Sequence, residues 1–299
     1  MSPTTRSLCT SAALIALAAP APAATPAAVT ATYADIARAN YGDSLEAAKA
    51  LDAAIDAFLA APSAETHAAA KEAWLDARVP YQQTEVFRFG NPIVDAWEGR
   101  VNAWPLDEGM IDYVATPLYG ESSPENPFYA ANLIANPELN VAGETIDAEP
   151  IDVELLAALH EAGEVEANVT RGYHAVEFLL WGQDLNGTGP GAGERPWTDF
   201  ATGADCTHGN CDRRRDYLEA ASELLVADLE EIVASWGEDG AARTELTADG
   251  AEAGVARILK GLGSLSYGEL AGERMKLGLM LHDPEEEHDC FADNTHNSH

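Results

Sequence analysis

"YADIARANYGDSLEAAKALDAAIDAFL", residues 33 to 59, carries the pattern on which the fold turns. Its apolar side chains Tyr33, Ile36, Ala37, Tyr41, Leu45, Ala48, Leu51, Ile55, Phe58 and Leu59 recur mostly at steps of three and four. Such steps fall on one side of a 3.6-residue helix, so the segment reads as one long helix with a single buried stripe. "APS" at 61–63 stops it, and Ser63 is placed to cap a second helix. That helix is expected to carry Trp74, Ala77, Arg78, Tyr81, Glu85 and Phe89, with a kink at Pro80.

Outward from there the pattern stays helical. Residues 90 to 150 are rich in Pro, Gly and Asn ("FGNPIVD", "NAWPLDEG", "ATPLYGESSPENP") and read as a long connection with short helical turns. Helical spacing returns over 151–159 and 164–181, with Gly182 as a stop. The loop "GQDLNGTGPGAGERP" is the natural domain boundary. A long helix follows, with Tyr217, Leu218, Ala221, Leu224, Leu225, Leu229, Ile232, Val233 and Trp236 on its apolar face. A last one over about 252–281 contains Gly261, Gly263, Gly268, Gly272 and Gly278, which make sense where backbones pack closely. No strand-like alternation of useful length appears. The fold class is all-α, built from helix bundles.

The N-terminus is a different kind of segment. Arg6, the short apolar run Leu8–Ala19 and the small-x-small "APA" at 21–23 form a secretory signal pattern. No later run reaches about 18 uninterrupted apolar residues, the length a membrane-spanning helix needs. The 299 residues hold 17 Lys and Arg against 50 Asp and Glu, a net charge of −33. That field opposes nucleic acid and anionic membrane and concentrates cations near the surface. In an exported chain "CTHGNC", 206 to 211, reads as a disulfide between Cys206 and Cys211, leaving Cys290 over. A metal site from Cys206, His208 and Cys211 is the alternative.

The chemistry concentrates in "RGYHAVEFLLWGQD", 171 to 184. His174 and Glu177 are three apart on one helical face, so an imidazole nitrogen and a carboxylate oxygen could hold one ion together. The apolar neighbours Phe178 to Trp181 bury the segment, and a buried glutamate needs a proton, a cation or a partner. Arg78, Tyr81 and Glu85 share a face of the second helix. Glu85 is the preferred additional carboxylate, oriented by Arg78 or Tyr81. A third cluster, "HDPEEEHDCFADNTH" from 282 to 296, offers Glu287, His288, Asp293 and His296 as further candidate ligands. There is no H-E-x-x-H, G-x-S-x-G, P-loop, dinucleotide or C-x-x-C-H motif.

"GYHAVEFLLWG" resembles the G-x-H-x-x-E signature of the imelysin-like family. "ARVPYQQTEVFRFGNPIVD", "VNAWPLDEGMIDYV", "CDRRRDYLEAASELLVADL" and "GELAGERMKLGLMLHDPEEEHDCFADNTH" are similar to family blocks, in the family's order, over about residues 33 to 296. The resemblance implies two helical-bundle subdomains with the H-x-x-E motif near their junction, and it carries a functional role to His174 and Glu177, with Arg78, Tyr81 and Glu85 as neighbours. Family members resembling this chain carry serine where Asp289 and Ala292 stand, and they continue as helix beyond that block, so the second bundle is expected to be incomplete. The implied division is a signal peptide over 1–24, an N-terminal bundle over 25–190, a linker over 191–211 and part of a second bundle over 212–299.

The function so implied is that of an exported, periplasmic protein of iron acquisition or handling, with association to the outer membrane left open. It would bind a metal ion, iron or zinc, or an iron complex, and work beside other periplasmic or outer-membrane iron-uptake proteins. Two alternatives stand beside it: a metallopeptidase using the same motif, and a non-catalytic interaction protein whose H-x-x-E is a structural hydrogen bond.

Overall fold

The computed structural model describes residues 23–186, 191–281 and 291–292 of the 299. The leader segment to residue 22, Cys290, and the candidate ligands Glu287, His288, Asp293 and His296 lie outside the described residues.

Helix α1, Pro26–Ala60, starts where Thr25 accepts a hydrogen bond from the Ala28 amide (3.2 Å) and Pro26 fills the first helical position. Its stripe is buried as the spacing predicts, from Ala37 and Tyr41 through Leu51, Ile55 and Phe58. Ile36 departs from it and is 50% exposed, because Ala34 and Ala37 take the inward positions on either side. Helix α2, Ala64–Gln82, opens with a reciprocal cap in which the Ser63 and Thr66 side chains each bond the other's amide. It runs through Pro80 and ends two residues later, so Glu85 and Phe89 are not on it; Glu85 begins a separate 3₁₀ turn, Glu85–Phe87.

The segment read as a connection contains a three-turn helix, α3, Pro92–Asn102, capped by the Asn91 side chain on the Ile93 amide. The short helices α4, Glu108–Ile111, and α5, Thr116–Tyr119, follow. A small antiparallel hairpin pairs β1, Glu138–Val141, with β2, Glu144–Asp147, Leu139 opposite Ile146. Its turn residues Ala142 and Gly143 both have positive φ, the geometry that lets a two-residue turn follow strand twist.

Helix α6 is Val153–Leu159, capped by Asp152. Helix α7, Gly172–Trp181, starts eight residues later than the periodicity suggests. Gly172 has φ +85, which no helix interior accommodates, so the chain turns there before winding. All ten residues of α7 are buried, and Gly182, at φ +72, ends it. Helix α8 is Cys211–Ser235, α9 is Ala241–Leu246 and α10 is Ala251–Gly263; a π-type helix, Ser264–Leu281, continues from α10.

Helix α1 packs along α2, α8 and α10, and α7 is enclosed by α2, α3 and α8. Helix α8, assigned from the sequence to the second bundle, thus lies against α1, α3, α6 and α7. Fully buried Trp74, Phe58, Phe178, Tyr217 and Trp236 fill the space between them. Two indole N–H groups in that core find carbonyls, Trp74 on Tyr173 (2.9 Å) and Trp97 on Asp228 (2.8 Å). The described residues are mostly helical with two short strands, a mostly α fold. None of its helices is long and apolar enough to cross a membrane.

Candidate functional site

The position of α7 depends on close backbone contact. A Cβ on Gly172 would meet the Val101 carbonyl oxygen at 2.7 Å and that of Arg100 at 2.9 Å, so only glycine lets α3 and α7 touch there. Two residues on, His174 is 2% exposed and Glu177 fully buried. Their side chains meet directly, His174 Nδ1 to Glu177 Oε2 at 2.8 Å. The Ala292 amide donates to the other oxygen, Oε1, at 2.9 Å. Burial pushes Glu177 up to about 8, opposed by the Ala292 amide, the Arg78 charge and the Phe291 amide.

Both Glu177 oxygens are therefore already hydrogen-bonded, Oε1 to the Ala292 amide and Oε2 to His174 Nδ1 across a shared proton, and Glu177 orients the imidazole. This is how a carboxylate fixes the tautomer of a ligating histidine. For the two residues to hold one ion between them, the 2.8 Å bond would have to be exchanged for two metal bonds.

Around the pair stands an aromatic wall. Trp104 lies 4.9 Å from the His174 ring, and Phe291 packs on Trp104 (5.7 Å) and Phe178 (5.1 Å). Phe291 is 4% exposed, and its carbonyl accepts from the Gly193 amide at 2.8 Å. The segment of the third sequence cluster is thus brought onto the first: Phe291 and Ala292 roof the pair, and the candidate ligands Glu287, His288, Asp293 and His296 flank them in sequence.

Arg78 and Tyr81 share the inward face of α2, as their spacing requires. The Arg78 guanidinium is fully buried, 5.0 Å from the Tyr173 ring and 5.2 Å from that of Tyr81. Its Nη1 donates to Asn102 Oδ1 at 2.6 Å. Glu85 is not brought to His174 and Glu177. With α2 ended at Gln82, its carboxylate turns to Arg88 (3.1 Å), which also meets Glu98 at 3.4 Å. Glu98 accepts from Asn102 (3.0 Å), which accepts from Arg78, so a relay of charged and amide groups runs between Glu85 and Arg78. Burial, then Glu98, raises Glu85 to about 7. Among the described residues no three His, Cys, Asp or Glu side chains converge as a metal site.

A second polar centre escaped the sequence reading. Asp112, 2% exposed, accepts from Arg195 Nη1 (2.6 Å) and from Arg214 Nε and Nη2 (2.6 and 3.0 Å). Burial alone would raise its carboxyl, but the two arginines outweigh that and hold it below the usual range. Fully buried Asp199 accepts from the Tyr113 hydroxyl (2.5 Å), His208 Nδ1 (2.7 Å) and Thr207 Oγ1 (2.8 Å). Cys206 and Cys211 are bonded to each other beside it. The signal was present in "CDRRRD": positive charge opposes the dipole at a helix start, so three arginines there require specific acceptors. Arg214 finds Asp112, Arg213 the Leu133, Ile134 and Ala148 carbonyls, and Arg215 that of Phe200. This centre adjoins the first, since the Arg195 amide bonds the last residue of α7, Trp181 (2.8 Å).

A solved structure of a Parabacteroides distasonis protein, named as an iron-regulated protein A precursor, shares the fold. The TM-score is 0.52 at 23% identity, over 87% of this chain and 61% of that one. "Iron-regulated protein A" of Synechococcus elongatus is 32% identical over 81 residues, 27% of this chain and 23% of that protein. The chain therefore spans less than two thirds of either relative. The imelysin model (Peptidase M75) matches residues 37–299, which include the G-x-H-x-x-E segment and the roof above it, and the chain belongs to the imelysin family.

Proposed function

We propose that this is an exported protein of iron handling that binds a metal ion or metal complex through His174, with Glu177 holding the imidazole in place. One observation carries the reading: a histidine–glutamate pair, hydrogen-bonded at 2.8 Å, is enclosed by aromatic rings at the centre of the fold. The names of the relatives, one of them a precursor, support the iron and export parts of it. The remaining ligands would come from the sequence flanking the roof, with Glu287, His288, Asp293 and His296 as candidates. The ion would be iron or zinc, free or as a complex, and periplasmic or outer-membrane iron-uptake proteins are the partners that role implies.

Calorimetric titration of iron and zinc into the full chain and into His174→Ala and Glu177→Gln tests this. Loss of the imidazole should abolish high-affinity binding. Replacing the carboxyl by an amide, which cannot give up a proton to the ring, should weaken it by about 10- to 100-fold, as for other partners that orient a ligand. A second reading, a purely structural pair, is favoured by the occupation of both Glu177 oxygens. Equal affinity in all three proteins, or none in the wild type, would establish it instead.

A further inference from the structure

The Cys206–Cys211 bond closes a ring of six residues, a short loop whose bridging removes less disorder from the unfolded chain than a long-range disulfide would. Other contacts already fix the loop. The Thr207 amide donates to the Thr198 carbonyl (3.1 Å), Thr207 Oγ1 donates to Asp199, and Arg214 Nη1 donates to the Gly209 carbonyl (3.0 Å). Stability is therefore a weak account of the disulfide.

The two sulfurs are unequally placed. Cys206 is partly exposed on a rim whose residues 207–210 are all exposed, and Cys211 is only 4% exposed. Cys211 is also the first residue of the 25-residue helix α8, where the aligned peptide dipoles favour negative charge. Between them His208, Gly209 and Asn210 all take left-handed backbone conformations (φ +56, +70 and +53), a region that glycine, asparagine and histidine enter more readily than other residues.

We propose that Cys206–Cys211 is an exchange-active disulfide that accepts electrons from a dithiol, with Cys206 as the attacked sulfur and Cys211 as the leaving thiolate. In the first step a thiolate of the dithiol bonds to Cys206 Sγ and the Cys206–Cys211 bond breaks. Its electron pair leaves on Cys211 Sγ, which takes a proton from solvent. The second thiolate then attacks the dithiol's own sulfur and displaces Cys206 as a thiolate, which is protonated in turn. Two electrons and two protons have passed to the protein, and the dithiol is left as a disulfide. The α8 dipole favours the leaving anion, and a better leaving thiolate speeds exchange; the Thr207 and Thr198 carbonyls, 3.4 and 3.6 Å from Cys211 Sγ, accept from the thiol once it is protonated.

The test uses the folded full chain. It is incubated with millimolar dithiothreitol, or separately with the monothiol glutathione, then quenched by alkylation and mapped by peptide mass spectrometry while circular dichroism follows the helices. With dithiothreitol, Cys206 and Cys211 should both become alkylated without loss of helical signal. With glutathione, the adduct on Cys206 should exceed that on Cys211 by about tenfold or more, as a reachable attacked sulfur and a stabilised leaving sulfur require. A bond that opens only as the helical signal is lost would overturn the proposal. So would an adduct formed equally on both sulfurs or mainly on Cys211.

Discussion

His67 must carry its proton on Nε2, since that atom bonds the Leu180 carbonyl at 2.8 Å, and its ring stacks on Phe58 at 4.8 Å. Burial, then the Lys71 charge, lowers it from 6.5 to about 4. The unfolded chain therefore binds more protons at this site between those values, so stability is full above 6.5 and is lost as pH falls towards 4. The full loss is on the order of 3 kcal/mol. Glu85 and Glu108, both raised to about 7 chiefly by burial, act in the opposite sense and favour the fold towards lower pH. Denaturant titrations of the wild type and His67→Phe at pH 7 and 5 separate the two contributions. The variant should lose less on acidification than the wild type, and an equal loss would remove His67 from the account. At Gly172, alanine would need a positive φ and push into two carbonyl oxygens, so Gly172→Ala should cost about 2 kcal/mol or more in the same assay. A change within 0.5 kcal/mol, about that of a neutral surface substitution, would show that α3 and α7 can part there.

Helices were legible where one physical rule decides them. Apolar spacing gave α1 its inward face, and Ser63 its role at the start of α2, because burial and capping are local to the pattern. Where the backbone decides, the pattern misleads: the spacing reads as helical from about 164 into α7, yet the helix waits for the turn at Gly172. The same holds at Glu85, whose i+7 spacing from Arg78 has meaning only if the helix continues, and it stops at Gln82. The His174–Glu177 contact was legible because both lie within one turn. The roof of Phe291 and Ala292 was not, because a contact across 115 residues leaves no periodic trace. At this scale the helix pairing of α8 with the segment before α5 rests on Asp112 between Arg195 and Arg214. Asp112→Asn leaves two buried guanidinium groups short of charge and should cost on the order of 3 to 5 kcal/mol. Replacing Asp112 and Arg214 together by apolar residues of similar volume should recover part of that. A denaturation midpoint unchanged in the single variant would make the network ornamental to stability.

The whole molecule carries a net charge of −33. Its basic residues are drawn into local clusters: Arg88 is met by Glu85, Asp95 and Glu98, and Asp228 by Arg100 and Arg171. Surplus carboxylates elsewhere repel one another, and added salt screens exposed charges over about 10 Å at 0.1 M. The melting temperature should therefore rise between low and molar sodium chloride, as read by circular dichroism at 222 nm. A fall would mean that the clustered ion pairs contribute more than the repulsion removes. A further whole-molecule feature is the last helical segment, where Tyr267, Met275, Leu279 and Met280 stand 84%, 61%, 73% and 71% exposed.

The bond from the Ala292 amide to Glu177 also sets a timetable. A ribosome adds residue 292 only after 115 more amino acids have followed Glu177, roughly ten seconds at synthesis rates of about 5–20 residues per second. For that interval His174 and Glu177 exist without their roof. Through the same interval Trp104 and Phe178 also wait for the Phe291 ring that will pack against them, so the enclosure of the pair is among the last contacts the chain can complete.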